Sequence, residues 1–148
     1  MIDLKEMDVR TFMQTMGQAL PDSPVMDPDP RLVDLRIALI TEEFDETIDA
    51  LIQLKRHDLT PAARLSYMAE VLDGIIDSMY VLIGTALALG MSTTEAWEEV
   101  QRANMEKATG PVRDDGKRLK PEGWNPPNIV RIVREMVAET EFADRSIR

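Results

Sequence analysis

Two stretches of this 148-residue chain concentrate acidic side chains where they could do chemistry. LITEEFDETIDAL carries Glu42, Glu43, Asp45, Glu46 and Asp49, and EVLDGIIDSMY carries Glu70, Asp73 and Asp77. On a helix turning ~100° per residue, Glu42 and Glu46 lie about 40° apart and Glu43 and Glu46 about 60° apart, so these three share a stripe. Glu70, Asp73 and Asp77 share another. Like charges one turn apart repel by a few tenths of a kcal/mol per pair, and a solvated face usually offsets this with Lys or Arg three or four residues away. None of Glu42, Glu43, Glu46, Glu70, Asp73 and Asp77 has such a neighbour. Val71, Leu72, Ile75, Ile76 and Met79 crowd the second set, and burying unpaired carboxylates there costs several kcal/mol each or forces protonation. A divalent cation between the two helices removes the conflict. Oxygen-only donors point to Mg²⁺, with Mn²⁺ as a substitute. The competing reading is a pair of solvated acidic faces that bind nothing.

The rest of the composition narrows the chemistry. There is no cysteine, which removes disulfides, thiolate metal sites and cysteine nucleophiles. The one histidine, His57, cannot supply the Glu-x-x-His pairs of a di-iron bundle. The net charge is −10, which argues against a nucleic-acid binder. The charge is uneven: residues 1–101 carry 7 basic and 19 acidic side chains, residues 102–148 carry 10 and 8. A carboxylate-rich region is thus followed by a basic segment. No uncharged apolar run of about 18 residues is present, so no membrane span is expected, and the acidic N-terminus does not read as a leader. A cytoplasmic protein is the expectation.

The elements that position these residues read as helices. Apolar residues make up 44 %, aromatics 5 %, and there are 10 methionines and 7 glycines. A first helix is expected over about 4–19, with Phe12, Met13, Met16 and Leu20 inward. Residues 21–30, with four prolines, read as an extended connector. Asp29-Pro30 and Thr60-Pro61 are cap-then-proline starts for helices over about 30–56 and 61–89. Leu32, Leu35, Leu39, Ile48, Leu51 and Ile52 form the inward stripe of the former. The run MYVLIGTALAL is apolar all round and needs cover from a bundle or a second subunit. Ser92-Thr93-Thr94-Glu95 reads as a capping box for a helix to about 107. A loop over 108–128 precedes a last helix with Ile129, Val130, Val133, Met136 and Val137 inward, fraying after about 141. The sum is an all-α bundle of about five helices in one domain, 1–148, with its core over about 8–137.

Three stretches together carry a resemblance: EEFDE at 42–46, DGIIDSMYVLIGTALALG at 73–90 and RANMEKATGPVRDDGKRLKPEGW at 102–124. The chain resembles the all-α nucleoside triphosphate pyrophosphohydrolases, a group that includes MazG, the dimeric dUTPases and phosphoribosyl-ATP pyrophosphohydrolase. The family pattern EExxE then ExxD maps onto Glu42, Glu43 and Glu46. Judged by Tyr80 and Gly84, the family aspartate is Asp77 and the expected glutamate falls on Gly74. Asp73 then substitutes for it, or Glu70 and Asp73 match ExxD literally.

The resemblance implies a Mg²⁺-dependent enzyme that releases pyrophosphate and a nucleoside monophosphate, from dUTP or another non-standard deoxynucleotide. It implies a house-cleaning role and a homodimer or dimer of dimers. Glu43, Glu46, Asp73 and Asp77 are the candidate ligands, with Glu70 in a supporting or ligand position. Glu42 or Glu43 is the candidate base. Asn104, Lys107, Arg113, Lys117, Lys120 and Trp124 are candidates for base, sugar and phosphate contacts. Arg118 lies in the same loop. Trp124 can equally anchor the loop. A non-catalytic nucleotide-sensing or interaction module is the alternative, because the family glutamate is displaced at Gly74.

Overall fold

Backbone is described for residues 3–146 in a computed structural model, and side chains to Glu139. Five helices form: α1 (Leu4–Thr15), α2 (Pro30–Leu54), α3 (Pro61–Ala88), α4 (Thr94–Ala108) and α5 (Ile129–Ser146). The cap-then-proline signals act as read. Asp29 accepts from the Arg31 amide and Thr60 from the Ala63 amide, each followed by proline at the first helical position. α1 stops four residues before the expected end, at Thr15. α5 starts after Pro126-Pro127 and runs to Ser146, past the expected fray point.

α2 and α3 form an antiparallel hairpin closed by residues 55–60. Arg64 fastens its tip, donating to the carbonyl oxygens of Leu54 and Arg56, at 3.3 and 3.0 Å. α1 packs on the far end of α3, and α4 packs on α5. Val9, Met13, Leu87 and Ala88 form the buried cluster between α1 and α3, with Leu20, Leu32, Tyr80 and Ile83 against it. The proline-rich connector docks on the end of α3, where the Val25 amide donates to Leu89 O at 3.0 Å. Gly90 makes this possible. Its φ is +74°, and a Cβ there would lie 1.8 Å from Ser23 O.

Several inward positions are corrected. Phe12 and Met16 are exposed, as are Leu35, Ile48, Leu51 and Ile52 on α2. α2 buries Arg36 and Ala50 instead. On α5 the fully buried residue is Ile132, an addition to the expected inward set on the same stripe as Ile129, Val133 and Met136, while Val130 is 62 % exposed. On α2, whose packed neighbour is α3, an apolar stripe wider than one contact line stays partly uncovered. α3 is also long and apolar enough to cross a membrane by length and composition. Asp73 and Asp77 sit within it.

Two polar groups tie the helices together. Arg36 is 8 % exposed and no acid pairs with it; Nη2 donates to Gln18 Oε1 at 3.1 Å, and Nε has no partner among the described residues. Burial lowers its pKa. Glu6, also 8 % exposed, adds to the expected cap at Ser92, whose Oγ accepts from the Thr94 amide at 3.3 Å. Thr93 makes no side-chain cap bond. Instead Glu6 Oε2 accepts from Ser92 Oγ at 3.0 Å, the Thr93 amide at 2.8 Å and Thr93 Oγ1 at 2.9 Å. A carboxylate from α1 therefore caps α4 from outside, where amide donors and the helix dipole both favour a negative charge. Glu6→Ala leaves those donors buried without an acceptor. It is expected to lower unfolding free energy by about 2 kcal/mol, read as a shift in the urea midpoint.

Candidate active site

The geometry of the acids follows from one contact. Gly74 of α3 faces Thr47 of α2, so closely that a Cβ on Gly74 would lie 2.4 Å from Thr47 Oγ1 and 3.2 Å from Thr47 Cα. Measured around each helix from this contact line at ~100° per residue, Glu43, Glu46 and Glu42 lie about 40°, 100° and 140° to one side of α2. Glu70, Asp77 and Asp73 lie about 40°, 60° and 100° to the same rotational side of α3. Because the two helices run antiparallel, equal rotational sides fall on the same flank of the pair. Both acidic stripes therefore line one flank of the hairpin.

The electrostatics agree. Burial raises the Glu43 carboxyl above its usual value, and the charges of Asp77, Glu46, Glu42 and Asp73 raise it further. Contributions thus reach Glu43 from both helices. None of these acids forms an ion pair with Lys or Arg among the described residues. Glu43 is half-buried; Glu42, Glu46, Glu70, Asp73 and Asp77 are exposed. The expected burial of the acids on α3 is corrected accordingly: the flank is open within one chain. Glu70 is turned to its own helix, accepting from Ser66 Oγ at 3.4 Å.

Among the described residues, no three acidic side chains meet closely enough to cage a metal ion. The donor set nonetheless fits a hard divalent cation in chemistry: carboxylate oxygens only, from two rigid helices, with excess negative charge and no competing cation.

The basic candidates are placed elsewhere in the chain. Asn104 and Lys107 are exposed near the end of α4, and α4 packs on α5 rather than on the acidic flank. The following loop closes as a short hairpin through an antiparallel bridge between Val112 and Arg118. Arg113 is held by Asp115 within it. Arg118 donates to Gly110 O at 2.8 Å. Trp124 donates its indole N–H to Ala103 O at 2.8 Å, and Lys120 Nζ lies 4.1 Å from the centre of its ring. Lys107 and Lys117 make no ion pair among the described residues. One chain therefore does not bring these groups onto the acidic flank. The cavities also lie away from it: an apolar groove of about 340 Å³ among Ala86, Trp97, Val100 and Ile132, and an open cleft of about 430 Å³ beside Asn128, Arg131 and Arg134.

The raised carboxyl of Glu43 has a consequence for stability. Above its folded pKa, the charge is disfavoured in the native state and not in the unfolded chain. That penalty fades as pH falls through the raised value and is gone below the ordinary value of 4.5. Glu43→Gln is expected to raise Tm at pH 7 in metal-free buffer, and the gain is expected to vanish by about pH 4. Calorimetry across that range checks it.

Residues 9–104, which contain α2, α3 and every acidic candidate, match the family described as phosphoribosyl-ATP pyrophosphohydrolase. No curated protein matches the chain. Pyrophosphohydrolases of this family are hydrolases of a phosphoanhydride bond, typically soluble and typically metal-dependent. With five helices, the acidic flank on α2 and α3, and a match over most of its length, the chain belongs to the phosphoribosyl-ATP pyrophosphohydrolase family, within the all-α nucleoside triphosphate pyrophosphohydrolases.

Proposed function

We propose that the protein is a Mg²⁺-dependent nucleoside triphosphate pyrophosphohydrolase of the cytoplasm. Its products are a nucleoside monophosphate and pyrophosphate, and its preferred substrate is dUTP or another non-standard deoxynucleotide. The observation that carries this reading is that Glu42, Glu43, Glu46, Asp73 and Asp77 line one flank of the α2–α3 hairpin with no ion pair to Lys or Arg among the described residues.

Glu43, Glu46, Asp73 and Asp77 would hold the metal, with Glu70 beside them. When bound, a divalent ion neutralises phosphate charge and lowers the pKa of its water. Glu42, on the outer edge of the stripe, takes the proton of the attacking water. The raised pKa of Glu43 suits a carboxylate that accepts positive charge nearby. Asn104 contacts the base or sugar. Lys107 and Lys117 hold phosphate oxygens as point charges, with Arg113, Lys120 and Trp124 shaping the loop around them.

A homodimer or dimer of dimers follows from the flank opposite the acids. Ile37, Phe44, Ile48 and Leu51 of α2 and Met68, Ile75 and Leu82 of α3 are all exposed there. Apolar surface on this scale marks an interface. A second copy covers it and provides a route for the basic hairpin to reach a neighbouring acidic flank. The second reading, a nucleotide-sensing module without turnover, draws support from Gly74 standing where the family pattern has glutamate.

A panel of nucleotides assayed for pyrophosphate release with Mg²⁺ tests the enzyme. Glu46→Ala and Asp77→Ala are each expected to lower kcat/KM by about 100-fold or more. Unchanged release in both variants refutes the site, and binding without release from any nucleotide favours the sensor. Light scattering is expected to give at least twice the 16.7 kDa chain mass, and Leu72→Asp to shift it toward monomer. A stable wild-type monomer counts against the assembly.

A further inference from the structure

We propose that the Thr47–Gly74 contact sets the distance between the two acidic stripes, and that at this distance Asp73 takes the ligand position the family pattern gives to residue 74, leaving Glu70 outside the ion's reach. The inference rests on the metal-site reading above.

The contact leaves no room for a side chain at 74. A Cβ there would lie 2.4 Å from Thr47 Oγ1 and 3.2 Å from Thr47 Cα, so moving the hydroxyl alone does not make space. Thr47 is itself pinned, donating from Oγ1 to Glu43 O at 2.8 Å. The same residue thus fixes the approach of α3 and sits one turn from Glu43. Helices that meet at glycine approach more closely than helices that meet at a larger residue. A short aspartate arm from the flank then spans what a glutamate would span in a wider pair.

The antiparallel register selects which acid does so. With Thr47 opposite Gly74, Glu46 lies opposite residue 75 and Glu43 opposite residue 78. At ~1.5 Å per residue, Asp77 is within about 3 Å of both levels along the axis. Asp73 is about 3 Å from the level of Glu46, whereas Glu70 is about 7.5 Å from it and about 12 Å from that of Glu43. A further observation agrees: Glu70 accepts from Ser66 Oγ on its own helix.

The test is Mn²⁺ binding to the full chain without nucleotide, read by the loss of the free-ion paramagnetic signal. Asp73→Asn is expected to weaken Mn²⁺ binding by about 10-fold or more, and Glu70→Gln by no more than about 2-fold. Gly74→Ala, with folding checked by circular dichroism, is expected to weaken binding by about 10-fold through spacing alone. Thr47→Leu opens the same gap from the other helix and is expected to act alike. A loss in Glu70→Gln equal to or larger than in Asp73→Asn overturns the ligand choice. Wild-type binding in a folded Gly74→Ala or Thr47→Leu variant overturns the spacing role. Asp77→Asn separates the two levels of argument. If it binds Mn²⁺ as wild type does, the metal site itself is refuted. If it loses the ion while Asp73→Asn keeps it, only the present inference fails.

Discussion

The close crossing of α2 over α3 at Thr47 and Gly74 is the constraint on which the rest depends. It holds two rows of carboxylates on one flank against their own repulsion. No basic side chain in the described structure relieves it, and burial, followed by the neighbouring acids, raises the Glu43 carboxyl above its usual value. Packing at the crossing and along the hairpin must outweigh that repulsion in the absence of a cation. Positive charge brought to that flank would relieve the repulsion, and the proposed metal-dependent chemistry rests on this.

Stability and function are divided along the molecule. The buried cluster of Val9, Met13, Leu87 and Ala88 lies at the end of α3 remote from the hairpin tip. Glu6 ties α1 to the start of α4, so the helix that forms this cluster also fixes the direction in which the C-terminal half departs. The middle of the hairpin has less cover: acids on one flank, apolar side chains on the other. Apolar surface of this extent is unusual on an isolated chain, and it also leaves α3 long and apolar enough by length and composition to cross a membrane.

The basic hairpin after α4 shows the reach and limits of local geometry. Its turn is closed by its own hydrogen bonds, and Trp124 and Arg118 attach it to the end of α4. Its shape is therefore intrinsic. Within the chain, α4 packs on α5 rather than on the acidic flank, so local bonds fix the shape of the hairpin and not an approach to the acids.

The sequence by itself determined the helices, their starts and the acidic stripes. Asp29-Pro30 and Thr60-Pro61 fix backbone locally, and the spacing of Glu42, Glu43 and Glu46 is a property of any helix that contains them. Local rules could not supply the partners. They gave Ser92 to Glu95 as a self-contained cap; Ser92 does accept from the Thr94 amide, but Glu6, distant in sequence, accepts from Thr93 N–H and both hydroxyls. They placed Leu35, Ile48 and Leu51 inward, although a single chain has nothing to lay over them. Ile132 shares the stripe of Ile129, Val133 and Met136, but packing against α4 is what makes it the fully buried member. Gly74 marked a departure from the family pattern, but only the register of two antiparallel helices related that position to Thr47 and put Asp73 level with Glu46. Spacing along one helix is encoded in neighbouring residues, while the distance between two helices depends on the side chains that meet where they cross.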